Sequence, residues 1–263
     1  MLRNLINLAR TKLVADHLYS LKSCRSYSTS NEVIGLKSTS ESFPDNPNVV
    51  NQLMEFEGNW PEDVKEKFIQ DMSVVENFIN DQEEEEILAE IEPYLKRLKY
   101  ERDHWDDAIN VFRETERKSW YPQNRTIINR LIETAFKRGA STLPHIHVLD
   151  LAPDGVIKPH VDSVRFCGTT ISGISLLTDA IMKLVQSTTD PFDAPDDYRQ
   201  QPKVDTSNLY SCKVLLRRRS LYIMSNSARY NFTHELLRNE ESIFKGQKVE
   251  KGRRISIICR DEP

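Results

Sequence analysis

Along the first half of the chain the apolar positions recur at intervals of three and four. Phe78, Ile79, Ile87, Leu88, Ile91, Leu95 and Leu98 form such a series, the spacing of a helix with one buried face. The acids Glu83 to Glu86 follow Asn80 and Asp81, where carboxylates complement the amide end of a helix, and Lys96, Arg97 and Lys99 suit its far end. The acidic run is therefore assigned to capping, and Pro93 is expected to kink the helix or split it. A second helix is predicted over 126–137, with Ile127, Leu131, Ile132, Ala135 and Phe136 turned inward.

After Gly139 the period shortens to two. Short β-branched and aromatic runs separated by turn residues predict strands over 147–151, 158–162, 169–177, 181–185, 210–216, 221–224, 232–236 and 254–260. Leading helices followed by many short strands predict an α+β protein built on a β-sandwich or jelly roll. Residues 100–145 read as mainly helical, and 186–208, with Asp190, Asp193, Asp196, Asp197 and Asp205 among three prolines, read as a long acidic surface loop.

The beginning of the chain has another character. Arg3, Arg10, Lys12, Lys22 and Arg25 face the single acid Asp16, on a Leu- and Ile-bearing pattern of helical spacing. This is the composition of a mitochondrial transit peptide, and Arg25-Ser26-Tyr27-Ser28 resembles a processing site with the cut after Tyr27. Residues 28–60, rich in Ser, Asn and Pro, read as a flexible linker, so the expected organisation is 1–27 transit peptide, 28–60 linker and 61–263 domain, with core strands from about 145. Import would place the protein in the mitochondrial matrix. Processing removes five basic residues and one acid, taking the net charge from −4 to −8, which gives no global attraction to phosphate backbones. Cys167, Cys212 and Cys259 are widely separated, which suits a reducing compartment and a metal site without thiolates, and no apolar run is long enough to span a bilayer.

Candidate chemistry begins at His160-Val161-Asp162. Alternate residues of a strand share a face, so an imidazole and a carboxylate can meet one metal while Val161 packs behind. With a distant second imidazole they would make the facial triad typical of non-haem iron(II). By itself the tripeptide also fits a surface pair. His234 is the only histidine after residue 160; it alternates with Phe232 and Leu236 on a half-apolar face, where a metal or a satisfied core histidine are both open readings. On the last predicted strand Ile255, Ile257 and Cys259 share an apolar face, and Arg254, Ser256, Ile258 and Arg260 share the other. Inside a sandwich, two guanidiniums require an anionic partner, and a small dicarboxylate has the right shape; on an edge strand they would be solvated cations.

The ordered set His160, Asp162, His234, Arg254 and Arg260 resembles the signature of the AlkB family of oxygenases. The likeness continues through 147–185, SLYIMSNSARYNFTHE and KGRRISIICR, and covers most of residues 75–263. The resemblance implies a double-stranded β-helix core and an iron(II)- and 2-oxoglutarate-dependent dioxygenase that consumes O2. It implies iron(II) on His160, Asp162 and His234. It further implies a co-substrate site of Tyr222, Arg254, Ile255, Ser256 and Arg260, with Arg254 on the distal carboxylate, Arg260 at the metal-proximal end, and Ser256 and Tyr222 donating hydrogen bonds.

The chain also departs from the family's nucleic-acid repair members. Leu149 and Leu151 stand before Ala152-Pro153-Asp154-Gly155 where those proteins carry an Asn and a Tyr. Their basic, aromatic lid has no counterpart in the mixed-charge stretch 100–145, although Trp105, Trp120, Arg113 and Arg117 leave an RNA patch open beside plain helix packing. A protein side chain in the matrix is thus the favoured substrate, RNA is possible, and duplex DNA is disfavoured. The functions that the resemblance implies are side-chain hydroxylation linked to mitochondrial metabolism or regulated cell death, N-demethylation of methylated mitochondrial RNA, or a non-catalytic regulatory role on an oxygenase scaffold. His104, His145 and His147 are left to packing or the surface.

Overall fold

In a strand whose two faces meet different surroundings, alternation fixes which residues look into the space between the sheets. The computed structural model describes residues 52–102, 104, 107–192 and 209–263. The expected transit peptide, most of the linker, Trp105 and most of the acidic loop therefore lie outside the described residues.

The elements in chain order are β1 (Met54–Glu57), α1 (Glu62–Asp71), β2 (Met72–Val75), α2 (Asp81–Leu95), β3 (Ile109–Arg117), α3 (Pro122–Ala135), β4 (Ile146–His160), β5 (Thr170–Leu176), β6 (Ala180–Gln186), β7 (Ser211–Leu216), β8 (Leu221–Ser225), α4 (Asn226–Tyr230), β9 (Phe232–Leu236), β10 (Ile243–Phe244), β11 (Gln247–Lys248) and β12 (Arg254–Arg260). All strand pairs are antiparallel. The order is β1-β7-β6-β9-β4-β12-β5-β8-β2, with β3 also on β4 and β10-β11 a separate ribbon.

The long β4 turns this path into a jelly roll. Its first half pairs with β12, Leu151 opposite Arg254 and His147 opposite Ile258, while its second half pairs with β9, His160 opposite His234. One strand thus belongs to a major sheet (β3-β4-β12-β5-β8-β2) and then to a minor one (β4-β9-β6-β7-β1). The crossing falls at Ala152-Pro153-Asp154-Gly155. A Cβ on Gly155 would lie 2.6 Å from the Val111 carbonyl oxygen, and Val111 itself sits at a β-bulge with φ of 53°. Buried Lys251 donates from Nζ to the carbonyls of Pro153 (2.9 Å) and Gly155 (3.0 Å), holding the bend from the other side.

Two apolar cores result. One fills the space between the sheets with Phe112, Leu149, Ile171, Met182, Leu184, Phe232 and Leu236. The other lies behind the major sheet, where Ile87, Ile91 and Leu95 of α2 and Ile127 and Leu131 of α3 pack on Val148, Ile174, Ile255 and Ile257. The register of hydrophobic positions in each helix selects this face. Asn80 caps α2 in a capping box with Glu83, as its sequence suggests.

Several expectations change. Pro93 neither splits nor kinks α2 midway, because it falls in the last turn, two residues before the helix ends at Leu95. Residues 100–145 are not mainly helical: β3 runs along β4 from Ile109 to Arg117. The linker ends earlier than residue 60, because Met54–Glu57 pairs with β7 and Trp60 stacks on Phe232 at 5.4 Å and donates to the Ser211 carbonyl at 3.1 Å. The two predicted strands 147–151 and 158–162 are one strand, which stops at His160 and leaves Asp162 on the loop that follows. Among the described residues, no helix is long and apolar enough to cross a membrane.

Candidate active site

The directly opposed positions of β4 and β9 bring His160 and His234 together, their ring centroids 4.3 Å apart. Asp162, two residues beyond His160, turns back beneath them. Its Oδ1 lies 3.3 Å from His160 Nε2 and 3.7 Å from His234 Nε2, and one ligand atom from each of the three falls within 4.8 Å of the others. His160 Nδ1 donates to the Lys158 carbonyl at 2.8 Å, which sets the tautomer whose Nε2 carries the lone pair on the side of the aspartate. Two neutral imidazoles and a carboxylate on one side of an open space are a donor set suited to a divalent transition metal that keeps other positions for small molecules.

Electrostatics supports that protonation pattern. Burial opposes ionisation of Asp162, but the Arg260 guanidinium and the two imidazoles outweigh it and hold the carboxyl well below its ordinary range. Burial, and then the neighbouring His160, push His234 down to about 3, so it is neutral near pH 7. Arg260 donates from Nε to Asp162 Oδ2 at 2.8 Å, which orients the carboxylate.

The cavity that starts at this cluster continues along the inner face of the major sheet to Arg254, past Tyr222, Ser256 and Ile258. Arg254 is 2% exposed. It donates to the Ser256 hydroxyl and, at 2.6 Å, to that of Ser175, while its Nε is buried and has no partner. Among the described residues no carboxylate pairs with it, and burial pushes its pKa down to about 10. An enclosed cation with only hydroxyls around it leaves a large desolvation cost uncompensated, and a guest carboxylate would offset it. Tyr222 is held beside it by Gly173 on β5, where a Cβ would lie 2.6 Å from the tyrosine ring. The donor set therefore fits a metal at one end of the cavity and a dicarboxylate reaching from it to Arg254.

His160, Asp162, His234, Tyr222, Arg254, Ser256 and Arg260 all line this one cavity. Ile255 does not: β12 alternates, so its side chain lies in the core behind the sheet with Ile257 and Cys259, and its assignment to the co-substrate site is corrected. Of the four residues that left an RNA patch open, Trp105 lies outside the described residues and the other three have partners within the fold. Trp120 is buried in that same core, Arg113 pairs with Asp150 at 2.7 Å, and Arg117 pairs with Glu90 at 2.6 Å.

Sequence reasoning overlooked Ser175 and Glu114, and it left His147 to packing or the surface. Ser175 shares a strand face with Ile171 and Gly173, a signal available from alternation alone, but its partnership with Arg254 needs the β5–β12 register. His147 lines the cavity and is not a surface residue, whereas His145 is exposed.

No family model matches the chain. It is 45% identical over 196 residues to the Bos taurus protein named alpha-ketoglutarate-dependent dioxygenase alkB homolog 7, mitochondrial, covering 74% of this chain and 80% of that protein. The Mus musculus protein of the same name is 46% identical over the same length and shares. Among solved structures, that of OsALKBH1 aligns with a TM-score of 0.47 at 12% identity, over 72% of this chain and 97% of that one. Similarity of that extent to the bovine and murine proteins, on a jelly roll that gathers a His-Asp-His cluster and two arginines on one cavity, makes this chain a member of the mitochondrial alkB homolog 7 family, dioxygenases that use iron(II), 2-oxoglutarate and O2.

Proposed function

We propose that this enzyme hydroxylates a protein side chain in the mitochondrial matrix, with iron(II) on His160, Asp162 and His234 and 2-oxoglutarate extended toward Arg254. The observation that carries the co-substrate assignment is the buried Arg254 guanidinium, paired among the described residues with Ser256 and Ser175 alone and with its Nε unpartnered there. Bound together, iron(II), 2-oxoglutarate and O2 supply oxidative decarboxylation of the co-substrate, giving succinate and carbon dioxide, coupled to hydroxylation of a substrate C–H bond.

The chain's own residues bind, orient and exclude water. Arg254 takes the distal carboxylate in a water-poor pocket, with the Ser175 and Ser256 hydroxyls fixing the plane of its fork and Tyr222 adding a hydroxyl alongside. Arg260 fixes the rotation of the Asp162 carboxylate and adds positive charge at the metal-proximal end of the cavity. The Lys158 carbonyl keeps His160 in its ligating tautomer. Leu149, Ile171, Ile258 and Met182 make the walls between, keeping that passage apolar.

A protein substrate is supported by the net charge of the processed chain, expected to be −8, and by the commitment of Arg113, Arg117 and Trp120 to ion pairs and core. N-demethylation of RNA and a regulatory role without turnover are the outcomes against which the reading is tested. The test is 2-oxoglutarate conversion to succinate by anaerobically iron-loaded full chain, against the double variant His160→Ala, Asp162→Ala, with matrix proteins or methylated RNA added. Iron-dependent turnover stimulated by protein and lost in the variant is the expected result. Formaldehyde release with RNA would replace the substrate assignment, and absence of iron and 2-oxoglutarate binding would remove the enzymatic reading.

A further inference from the structure

Behind Arg260 the polar contacts do not stop. Its Nη1 faces His147 Nδ1 at 3.5 Å, and His147 Nε2 meets Glu114 Oε2 at 2.8 Å. Glu114 Oε1 lies 3.7 Å from His104 Nε2. His147 is on the inner face of β4, Glu114 on the inner face of β3, opposite Leu149, and both are drawn together by the β3–β4 register. His147 is also part of the cavity wall.

The donors and acceptors of this row match in one direction only. Glu114 is an acceptor, so His147 Nε2 carries the hydrogen, and Nδ1 presents a lone pair to the Arg260 N–H. Arg260 then spends its Nε–H on Asp162. A neutral His147 of the opposite tautomer would place an N–H against the guanidinium and leave the carboxylate facing a lone pair. Glu114 thereby selects the imidazole form that can hold Arg260. Leu149, Ile171 and Met182 show that apolar side chains can fill this wall away from the metal cluster and the arginines, so a packing role alone would not require a carboxylate on the neighbouring strand to fix the ring.

We propose that Glu114 and His147 are positioning residues that orient Arg260, and through it the Asp162 carboxylate and the metal-proximal end of 2-oxoglutarate. The inference rests on the assignment of Asp162 and Arg260 made above. Neither residue touches the reacting atoms; the pair acts by restricting the rotation of a guanidinium that is shared between a metal ligand and the co-substrate. The prediction is weaker co-substrate and metal binding without loss of the fold.

The experiment uses the full chain with Mn(II), which fills the site without turnover. Affinities for Mn(II) and 2-oxoglutarate are measured for wild type, Glu114→Ala, Glu114→Gln and His147→Leu, with thermal unfolding of the metal-free proteins alongside. Glu114→Ala and His147→Leu should each weaken 2-oxoglutarate binding by about tenfold, the scale on which groups that orient metal ligands act. Glu114→Gln, which keeps an acceptor for Nε2–H, should stay within about threefold of wild type on that same scale. Nitrogen-15 NMR of wild type should show His147 as the Nε2–H tautomer, a reading that does not depend on any variant folding. Unchanged affinities in folded Glu114→Ala and His147→Leu, or an Nδ1–H tautomer in wild type, would overturn the proposal. A wild type that binds neither Mn(II) nor 2-oxoglutarate would instead overturn the site assignment itself.

Discussion

Arg253 and Arg254 are consecutive in the chain and live in opposite electrostatic worlds. Arg253 looks out from the major sheet, where it grips Asp150 with Nε and Nη2 at 2.9 and 2.7 Å and Glu92 with Nη1 at 2.6 Å. The Asp150 bond is the largest of the influences that hold it above its ordinary pKa. Arg254 looks inward, donates among the described residues to serine hydroxyls alone, and is pushed down to about 10 by burial. The outer arginine is complete within the protein and ties β12 to β4 and α2. The inner one has no carboxylate partner among the described residues, and its Nε is left over. A one-residue step at the start of β12 thus separates an arginine paired with carboxylates from one that we propose binds a ligand.

The largest effect that sharpens this contrast is expected at Asp150, which is fully buried and shared by Arg253 and Arg113, with the Tyr100 hydroxyl also donating to it. Asp150→Ala leaves Arg113 without its carboxylate and Arg253 with Glu92 alone, and should cost about 3 kcal/mol or more in unfolding free energy, measured by denaturant titration; 2-oxoglutarate should not restore it selectively. Next comes the ligand itself. With Mn(II) present and 2-oxoglutarate at about a hundred times its dissociation constant, wild type should gain about 2.7 kcal/mol, visible as a raised unfolding midpoint, whereas a site already satisfied would gain nothing. The smallest effect probes a region remote from both arginines. Asn80→Ala removes the cap of α2 and should cost about 1 kcal/mol in the same titration, with the 2-oxoglutarate affinity unchanged.

How much of this was legible depends on what stabilises each element. β9 and β12 match their sequence reading to the residue, because each carries an apolar face that packs and an alternating second face. β3 did not read as a strand because ion pairs replace hydrophobic burial on it: Arg113 and Arg117 point outward to Asp150 and Glu90, and Glu114 points inward to His147. A strand held by charges on both faces has no apolar alternation to detect. β2 was hidden for another reason, since Met72 follows α1 directly with no turn residue between. The metal cluster and the two arginines were visible as spaced residues in one chain, as were the helix stripes. Which of them meet hydroxyls, which meet carboxylates, and that Ile255 faces away could not be read without the strand register.

The central claim is that Arg254 is buried for the sake of a carboxylate that the protein does not itself provide. It is tested most directly by measuring, for Arg254→Met and wild type, both the unfolding free energy without ligands and the affinity for 2-oxoglutarate with Mn(II) bound. The account predicts that the metal-free variant is at least as stable as wild type while its co-substrate affinity falls about 30-fold or more, as when one partner of a buried charge pair is removed. A variant that loses stability but keeps wild-type affinity would show that Arg254 serves the fold, and would contradict the account.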